Sequence, residues 1–519
     1  MTLTRPAGPA AELHPHRPPR RGRPGWPVSV ALGLALALGV AFRLHSASAL
    51  WLDEALSVNI ARLPLAQLPQ ALREDGSPPL YYLLLHGWIA LFGAGTTAVR
   101  SLSVLFGIAA IPLTWWAGRR LRDAVTGWSA ALLLAASPFA VRYSSETRMY
   151  SLVLVLTLLG IVALQAALQR PTRGRLAAVA ALSGLLLLTH YWALYLLAVT
   201  GATLLVMAWR GRRRAAAGRC AAALAAGWVV FLPWLPSFIF QARHTGTPWV
   251  KPPESTAVLD TITTWSGGRT LAGSVLALGL LTLVVVAVLG RTRPDGLLIG
   301  RRVAPLAGLL TLISLGTLLL GIVLGALTSA GYSPRYSSVA LGPFLLAVAL
   351  GVQVFSPRSR QIVLAVAVVL GLLGSVYVPF THRRTQAAKI ARLIRPGLAA
   401  GDLVVYCPDQ NGPAVNRLLP PSTDQVVYPT LGRPERVDWR DYAQRNDKAS
   451  PTAFARRVLS RSRGALWLVS STGHLTFGSQ CEDLATALAA ARGTGAVLLT
   501  ERYSYGEHEK LTRYPPARG

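Results

Sequence analysis

Twelve apolar runs separated by arginine-bearing loops constrain this chain more than any motif in it. They lie near 27–45, 78–94, 98–118, 124–142, 149–168, 176–190, 191–209, 220–240, 271–290, 304–328, 336–355 and 361–380. A run of roughly 20 apolar residues is what a helix needs to cross a hydrocarbon core. Backbone polar groups in lipid find no water, so a crossing segment of this kind folds as a helix. The chain is 52% hydrophobic and 14% charged, which excludes an ordinary soluble protein and fits a polytopic membrane protein. The formal net charge of +30 would suggest nucleic acid in a soluble chain. Here the arginines sit in short loops between spans, and basic stripes interleaved with base-stacking aromatics are absent.

Those arginines fix the expected topology. Residues 1–26 are rich in Pro and Arg and read as a disordered cytoplasmic tail, followed by an uncleaved first span. The first span then carries Asp53 to the outer side. If 78–94 also crossed, nearly every later arginine group would face outward, against the positive-inside rule. If 78–94 instead lies on the outer surface, five groups become cytoplasmic: Arg119/Arg120/Arg122, Arg170/Arg173/Arg175, Arg210–Arg214, Arg291/Arg293/Arg301/Arg302 and Arg358/Arg360. The expectation is eleven spans, with 78–94 interfacial, opened by Pro78-Pro79 and anchored by Tyr81, Tyr82 and Trp88.

With that orientation, polar residues converge at the outer span ends. They are Asp53-Glu54, Ser145-Glu146-Thr147-Arg148, Thr189-His190-Tyr191-Trp192 and Ser333-Pro334-Arg335-Tyr336. Charges near lipid are costly, so a cluster of this kind reads as a site. From about 381 the composition changes: charges of both signs appear, with three of the four lysines. β-like runs at 403–406, 425–428, 465–469 and 496–500 alternate with helical ones at 411–419, 453–460 and 482–491. That pattern predicts a small α/β layer of mostly parallel strands, acting as a lid or recognition module. Gly401-Asp402 reads as a turn, since no phosphate-binding glycine loop follows the strands. Cys220 reads as a small core residue. Cys407 and Cys481 are free to pair if the region is extracytoplasmic, although spacing alone does not establish it.

Several segments, "SPPLYYLLLHGWIALFG", "AVRSLSVLFG", "YSSETRMYSL", "LTHYWALYLL" and "SPRYSSVALGP", together with the Asp-Glu after the first span, resemble glycosyltransferase family 39 and related mannosyltransferase-like enzymes of the GT-C type. The resemblance covers roughly 27–380 and extends to the protein O-mannosyltransferases and the lipid A aminoarabinose transferases. The Trp-Trp-Asp-Tyr-Gly motif of oligosaccharyltransferases is absent, which argues against that branch. The family implies a GT-C transmembrane catalytic domain at 27–380 followed by an extracytoplasmic domain at 381–519. It implies a polyprenyl-monophosphate sugar donor and chemistry on the outer face of the cell membrane. Its outer-loop acid corresponds to Asp53, and its second acidic position to Glu146.

The residues themselves suggest roles. Asp53 is the candidate general base, taking a proton from an acceptor hydroxyl as that oxygen attacks and inverts the anomeric carbon. Glu54 either binds acceptor or hydrogen-bonds a loop N–H. Arg335 offers a planar fork to the donor phosphate, while Arg148 serves phosphate or pairs with Glu146. His190, Tyr191 and Tyr336 are candidates for sugar hydroxyls, His86 is an interfacial residue, and Trp51, Trp192 and Trp249 stack on sugar or mark the headgroup belt. No divalent-metal cluster stands out, although Asp53, Glu54 and Glu146 have the oxygen chemistry that a hard cation takes. The acceptor would be a cell-envelope glycan, glycolipid or protein. The alternative is a transporter or flippase of a lipid-linked sugar, which should show internal repeats or broken helices at mid-membrane. A cysteine placed at 212 is expected to resist a membrane-impermeant thiol reagent applied to intact cells, and labelling there would overturn the eleven-span arrangement.

Overall fold

A computed structural model describes residues 26–517 except 47, 212, 248–249, 294–295 and 381–382. The tail expected over 1–26 therefore lies outside the described residues but for Trp26, as do Trp249 and Arg212. The first eight helices are α1 (Trp26–Leu44), α2 (Leu52–Ala61), α3 (Leu68–Asp75), α4 (Leu80–Phe92), α5 (Thr96–Leu121), α6 (Ala124–Ala135), α7 (Pro138–Ser144) and α8 (Tyr150–Gln169). Among the described residues eight helices are long and apolar enough to cross a membrane, or nine if α6 and α7 form one bent span.

By length and composition that is fewer than the expected eleven. The segment at 176–190 folds as Arg173–Leu187, whose 15 residues rise about 22 Å, short of the roughly 30 Å core. Helix α1 spans Trp26–Leu44, 19 residues that rise about 28 Å, close to the thickness of the core. The 78–94 segment becomes α4, and its 13 residues rise about 20 Å, too short to cross. Its tyrosines are not headgroup anchors as expected. Tyr81 and Tyr82 are buried in protein, with hydroxyls bonded to Ser103 (2.7 Å) and Asp75 (2.9 Å). An interior partner for each O–H outcompetes the interface.

Helices α6 and α7 meet at 61°. Pro138 brings no N–H to the second helix, and the Ser137 hydroxyl accepts the Ala140 N–H instead. The carbonyls released at the break are satisfied from other helices. Arg43 at the end of α1 donates to Leu134 and Ala135, both at 2.8 Å, and Ser375 donates to Ala136 at 3.0 Å. Each bend carbonyl thus has a partner despite the apolar setting. The outer faces of the spans stay apolar and exposed, as at Leu278 and Val285 or at Leu312, Leu319 and Val323, which suits contact with lipid tails.

Two antiparallel strands, β1 (Gly290–Arg293) and β2 (Gly296–Ile299), join two of the spans. Beyond the helix Pro357–Phe380 the chain builds a five-stranded sheet from β3 (Leu403–Cys407), β4 (Asp424–Val427), β5 (Leu466–Ser470), β6 (Ala496–Leu499) and β7 (Lys510–Tyr514). The order is β4-β3-β5-β7-β6. β3 pairs in parallel with β4 and β5, whereas β7 pairs antiparallel with both β5 and β6. The sheet is therefore evenly mixed instead of mostly parallel. The charged stretch 510–514 does not alternate polar and apolar residues, but Leu511 and Tyr514, three positions apart, face opposite sides of the sheet and are buried in different apolar clusters. Gly401-Asp402 is the expected turn: Gly401 has φ +86°, and the Asp402 carboxylate accepts from Ala465 N–H and the Trp467 indole. Cys407 and Cys481 are bridged, with Cα atoms 5.5 Å apart, and Cys220 is buried.

Helix α2 lies between two cores. Ala55, Val58 and Ile60 pack with the spanning helices, while Leu52 and Leu56 join the apolar cluster under the sheet. Replacing Cys481 with Ser should remove an intrachain link visible on non-reducing gels. It should also destabilise the C-terminal domain by about 3–4 kcal/mol, read as a lower melting temperature, because the bridge closes a 74-residue separation.

Candidate active site

The sequence places two acids side by side at the start of α2, and one helical step of about 100° turns them to different neighbours. Glu54 faces inward and is 0% exposed. Arg100 on α5 grips it with two bonds, Nε to Oε1 at 2.7 Å and Nη2 to Oε2 at 2.5 Å, and Thr147 N–H donates to Oε1 at 2.9 Å. Arg100 spends its remaining donors on the carbonyls of Ser48 and Ala49. Burial alone would raise the Glu54 pKa, but the Arg100 charge and hydrogen bonds, the Arg384 charge and the Thr147 N–H outweigh it and hold the carboxylate below its ordinary value. Of the two readings left open for Glu54, the loop hydrogen bond is the one observed.

Asp53 faces the other way and keeps 16% of its side chain exposed. Arg335 reaches it from the start of the span Pro334–Val352, with Nη1 2.7 Å from Oδ2. The guanidinium lies 5.5 Å from the Trp51 ring and 5.7 Å from the Tyr336 ring. Its Nε is buried without an acceptor, and so is the Trp51 indole N–H.

Glu146, in the turn between α7 and α8, is 1% exposed. Arg384 Nη1 stands 2.5 Å from its Oε1 and Arg142 Nε 3.7 Å away, yet neither carboxylate oxygen receives a well-directed hydrogen bond. Burial raises its pKa above the usual glutamate value against the opposing pull of Arg384 and Arg142. Arg148 makes no ion pair with Glu146. It donates from Nη1 to the Ser57 hydroxyl (3.0 Å), the Tyr82 hydroxyl (3.4 Å) and the Asp53 carbonyl (3.4 Å).

His190 lies between Tyr150 and Tyr336, 5.9 Å from each ring, and its Nδ1 accepts the Trp192 N–H at 3.1 Å. The structure thus gathers Asp53, Glu54, Glu146, Arg148, Arg335, His190 and Tyr336. Tyr191 departs: its hydroxyl bonds to Gln241 and accepts the Trp234 indole N–H. His86 is held at the end of α2, Nδ1 2.8 Å from Ala61 O. Trp192 packs between Tyr332 and Tyr195 and covers Gly321. Among the described residues no group of three His, Cys, Asp or Glu side chains is placed to hold a metal. The three acids with the oxygen chemistry for a cation each face a guanidinium instead.

Sequence reasoning missed Arg100, Arg142 and Arg384. Arg100 and Arg142 did carry a signal, since a lone arginine in an apolar helix near a membrane needs a partner. Arg384 lies in a short polar linker and carried none. Five guanidiniums (Arg100, Arg142, Arg148, Arg335 and Arg384) therefore stand around these three carboxylates, with the donors of Arg100 already taken up by Glu54 and the Ser48 and Ala49 carbonyls.

The family model for dolichyl-phosphate-mannose-protein mannosyltransferases matches residues 76–237. No curated protein matches the chain. Among solved structures, apo ArnT from Cupriavidus metallidurans aligns with a TM-score of 0.64 at 15% identity, covering 94% of this chain and 97% of that one. The same protein bound to undecaprenyl phosphate aligns at 0.61 and 14% identity, again covering 94% and 97%. An Archaeoglobus fulgidus oligosaccharyltransferase, in complex with Zn and sulfate, aligns at 0.53 and 11% identity over 85% of this chain and 67% of that one. The chain therefore has the GT-C fold, as the sequence resemblance implied.

Replacing Glu54 with Ala strands the Arg100 charge in a buried site. It should cost about 3 kcal/mol or more, seen as a large drop in melting temperature in detergent. Arg100→Ala should cost a similar amount, and the double variant should recover part of the loss. The Glu54 contribution should be full above the ordinary glutamate range and vanish as pH falls through the depressed value, because a lowered pKa means the folded state binds the proton more weakly.

Proposed function

We propose that this protein transfers a sugar from a polyprenyl-monophosphate donor to a hydroxyl of an extracytoplasmic acceptor, with inversion at the anomeric carbon. The observation that carries this reading is the sorting of the three carboxylates. Only Asp53 keeps appreciable access, and it does so against a guanidinium in an arginine-rich site. Two further buried carboxyls nearby, Asp75 and Glu507, are pushed towards protonation by burial and offset the cationic surplus less than full charges would.

The phosphate of the donor competes with Asp53 for Arg335, whose fork suits two phosphate oxygens. Once Arg335 turns to phosphate, the Asp53 carboxylate is free to accept a proton. The acceptor O–H bond then breaks as its oxygen bonds to the anomeric carbon, and Asp53 takes the proton. The bond from that carbon to the phosphate oxygen breaks with its electron pair, and the polyprenyl phosphate departs, stabilised by arginine. His190 and Tyr336, whose rings lie 5.9 Å apart beside Arg335, are the candidates for the sugar hydroxyls. A polar cavity of about 570 Å³ opens further along α2, lined by Asn59, Arg62, Glu74, Glu435, Arg436 and Asp438.

Placement on the outer face of the cell membrane is supported by the arginine loops. Arg119 and Arg120 end α5, Arg170 follows α8 and Arg210 ends Ala193–Arg210, each at the opposite helix end from the acid cluster. The Cys407–Cys481 bridge on the cluster side suits an oxidising compartment. Support for the lipid carrier comes from the undecaprenyl phosphate bound by the similarly folded ArnT.

With purified protein and radiolabelled polyprenyl-phosphate sugars, Asp53→Asn should lower kcat by about a hundredfold or more. Transfer at the unmodified rate would sink the base assignment. Arg335→Ala should weaken donor binding by about tenfold or more, measured by titration with undecaprenyl phosphate. Unchanged affinity would remove its phosphate role.

A further inference from the structure

Helix α2 begins without a cap of its own. Its N-cap residue, Trp51, makes no side-chain cap hydrogen bond. The first amides of a helix need acceptors from elsewhere when water is scarce. One comes from 455 residues away: Glu507 Oε1 accepts the Leu52 N–H at 2.7 Å. Leu52 is the first residue of α2, and Asp53 is the second.

The same residue holds a second part of the cluster. Its N–H donates to the Arg384 carbonyl at 2.7 Å, and Thr385 and Glu507 form a parallel bridge. Arg384 in turn reaches Glu146. The main chain of Glu507 therefore fixes the segment bearing Arg384, and its side chain fixes the turn bearing Asp53.

The charge environment suits a neutral acceptor at this point. Asp53 and Glu54 on α2 bear on Glu507 with like charge, burial pushes the neighbouring Glu509 carboxyl well up, and Arg384 in the facing segment directs its guanidinium to Glu146. Burial, chiefly, pushes the Glu507 carboxyl up to about 8, and the Leu52 N–H and Thr385 hydroxyl offset this only in part. Protonated Glu507 still accepts through its carbonyl oxygen and adds no negative charge beside Asp53. The pair Glu507 and Leu52 thus acts as a clamp between the C-terminal domain and the catalytic helix.

We propose that Glu507 is a positioning residue for the transfer reaction, setting the first turn of α2 so that Asp53 faces Arg335 and the acceptor. This rests on the sugar-transferase reading. It also makes the C-terminal domain a structural part of the active site instead of a lid over it.

The test uses the full chain in nanodiscs, with Glu507→Ala and Glu507→Gln. Glutamine keeps a carbonyl acceptor for Leu52 N–H, and its amide can donate to Thr385. Hydrogen exchange at the first amides of α2 should quicken about tenfold in Glu507→Ala, the size of one lost hydrogen bond in a buried setting, and return close to the unmodified rate in Glu507→Gln. With polyprenyl-phosphate sugar, kcat should fall about tenfold in Glu507→Ala while donor KM stays within about twofold, and Glu507→Gln should retain kcat. The alkaline limb of kcat near pH 8 should disappear in Glu507→Gln, since loss of the Glu507 proton places a charge beside Asp53. Unchanged exchange in Glu507→Ala, or Glu507→Gln as impaired as Glu507→Ala, would overturn the proposal. If exchange responds as expected but no polyprenyl-phosphate sugar is turned over by the unmodified protein, the clamp stands and the transferase reading fails. Turnover with an α2 insensitive to Glu507 would leave the transferase reading standing and remove the clamp.

Discussion

The Glu54–Arg100 ion pair is the contact on which the polar end of this helical bundle depends. Neither charge is tolerable there alone, since an unpaired ion withdrawn from water costs several kcal/mol. Paired, they join three pieces of chain that are distant in sequence: α2, α5 and the turn carrying Thr147. The spare donors of Arg100 also pin the carbonyls of Ser48 and Ala49, which fixes the link between α1 and α2. One step round the helix from that junction, Asp53 meets Arg335.

The apolar architecture was legible in the sequence because lipid imposes a simple rule. Long apolar runs and arginine-rich loops located every crossing helix found among the described residues, and the shortness of α4 agrees with a segment that does not cross. Two readings failed for physical reasons that no periodicity records. Tyr81 and Tyr82 have the composition of interface anchors, but Ser103 and Asp75 give their hydroxyls better partners inside. The span at 176–190 begins and ends earlier than its hydropathy suggests, because Arg173 and Arg175 are taken into the helix and residues 188–192 turn to present His190.

The candidate site was half legible. Asp53, Glu54, Glu146, Arg148, Arg335, His190 and Tyr336 were selected as charges or polar breaks at one set of helix ends, and they do converge. Tyr191 was selected on the same ground and turned away, since sequence position does not fix which side of a turn a ring leaves from. The partners that decide the chemistry were the harder part. Arg384 and Glu507 sit in ordinary polar stretches, and only the path of the sheet brings them to α2. Likewise β7 was hidden because its place between β5 and β6 is set by the other strands and not by its own residues.

The long reach from Glu507 to Leu52 also orders events in time. A ribosome makes Leu52 hundreds of residues before its acceptor exists. The spanning helices enter the membrane while the first turn of α2 is still uncapped, and Leu52 and Leu56 have no sheet to pack under. Bringing such distant segments together is slow and entropically costly. The nascent membrane domain would therefore hold the first turn of α2 in an unfinished state until the last strands of the sheet have paired.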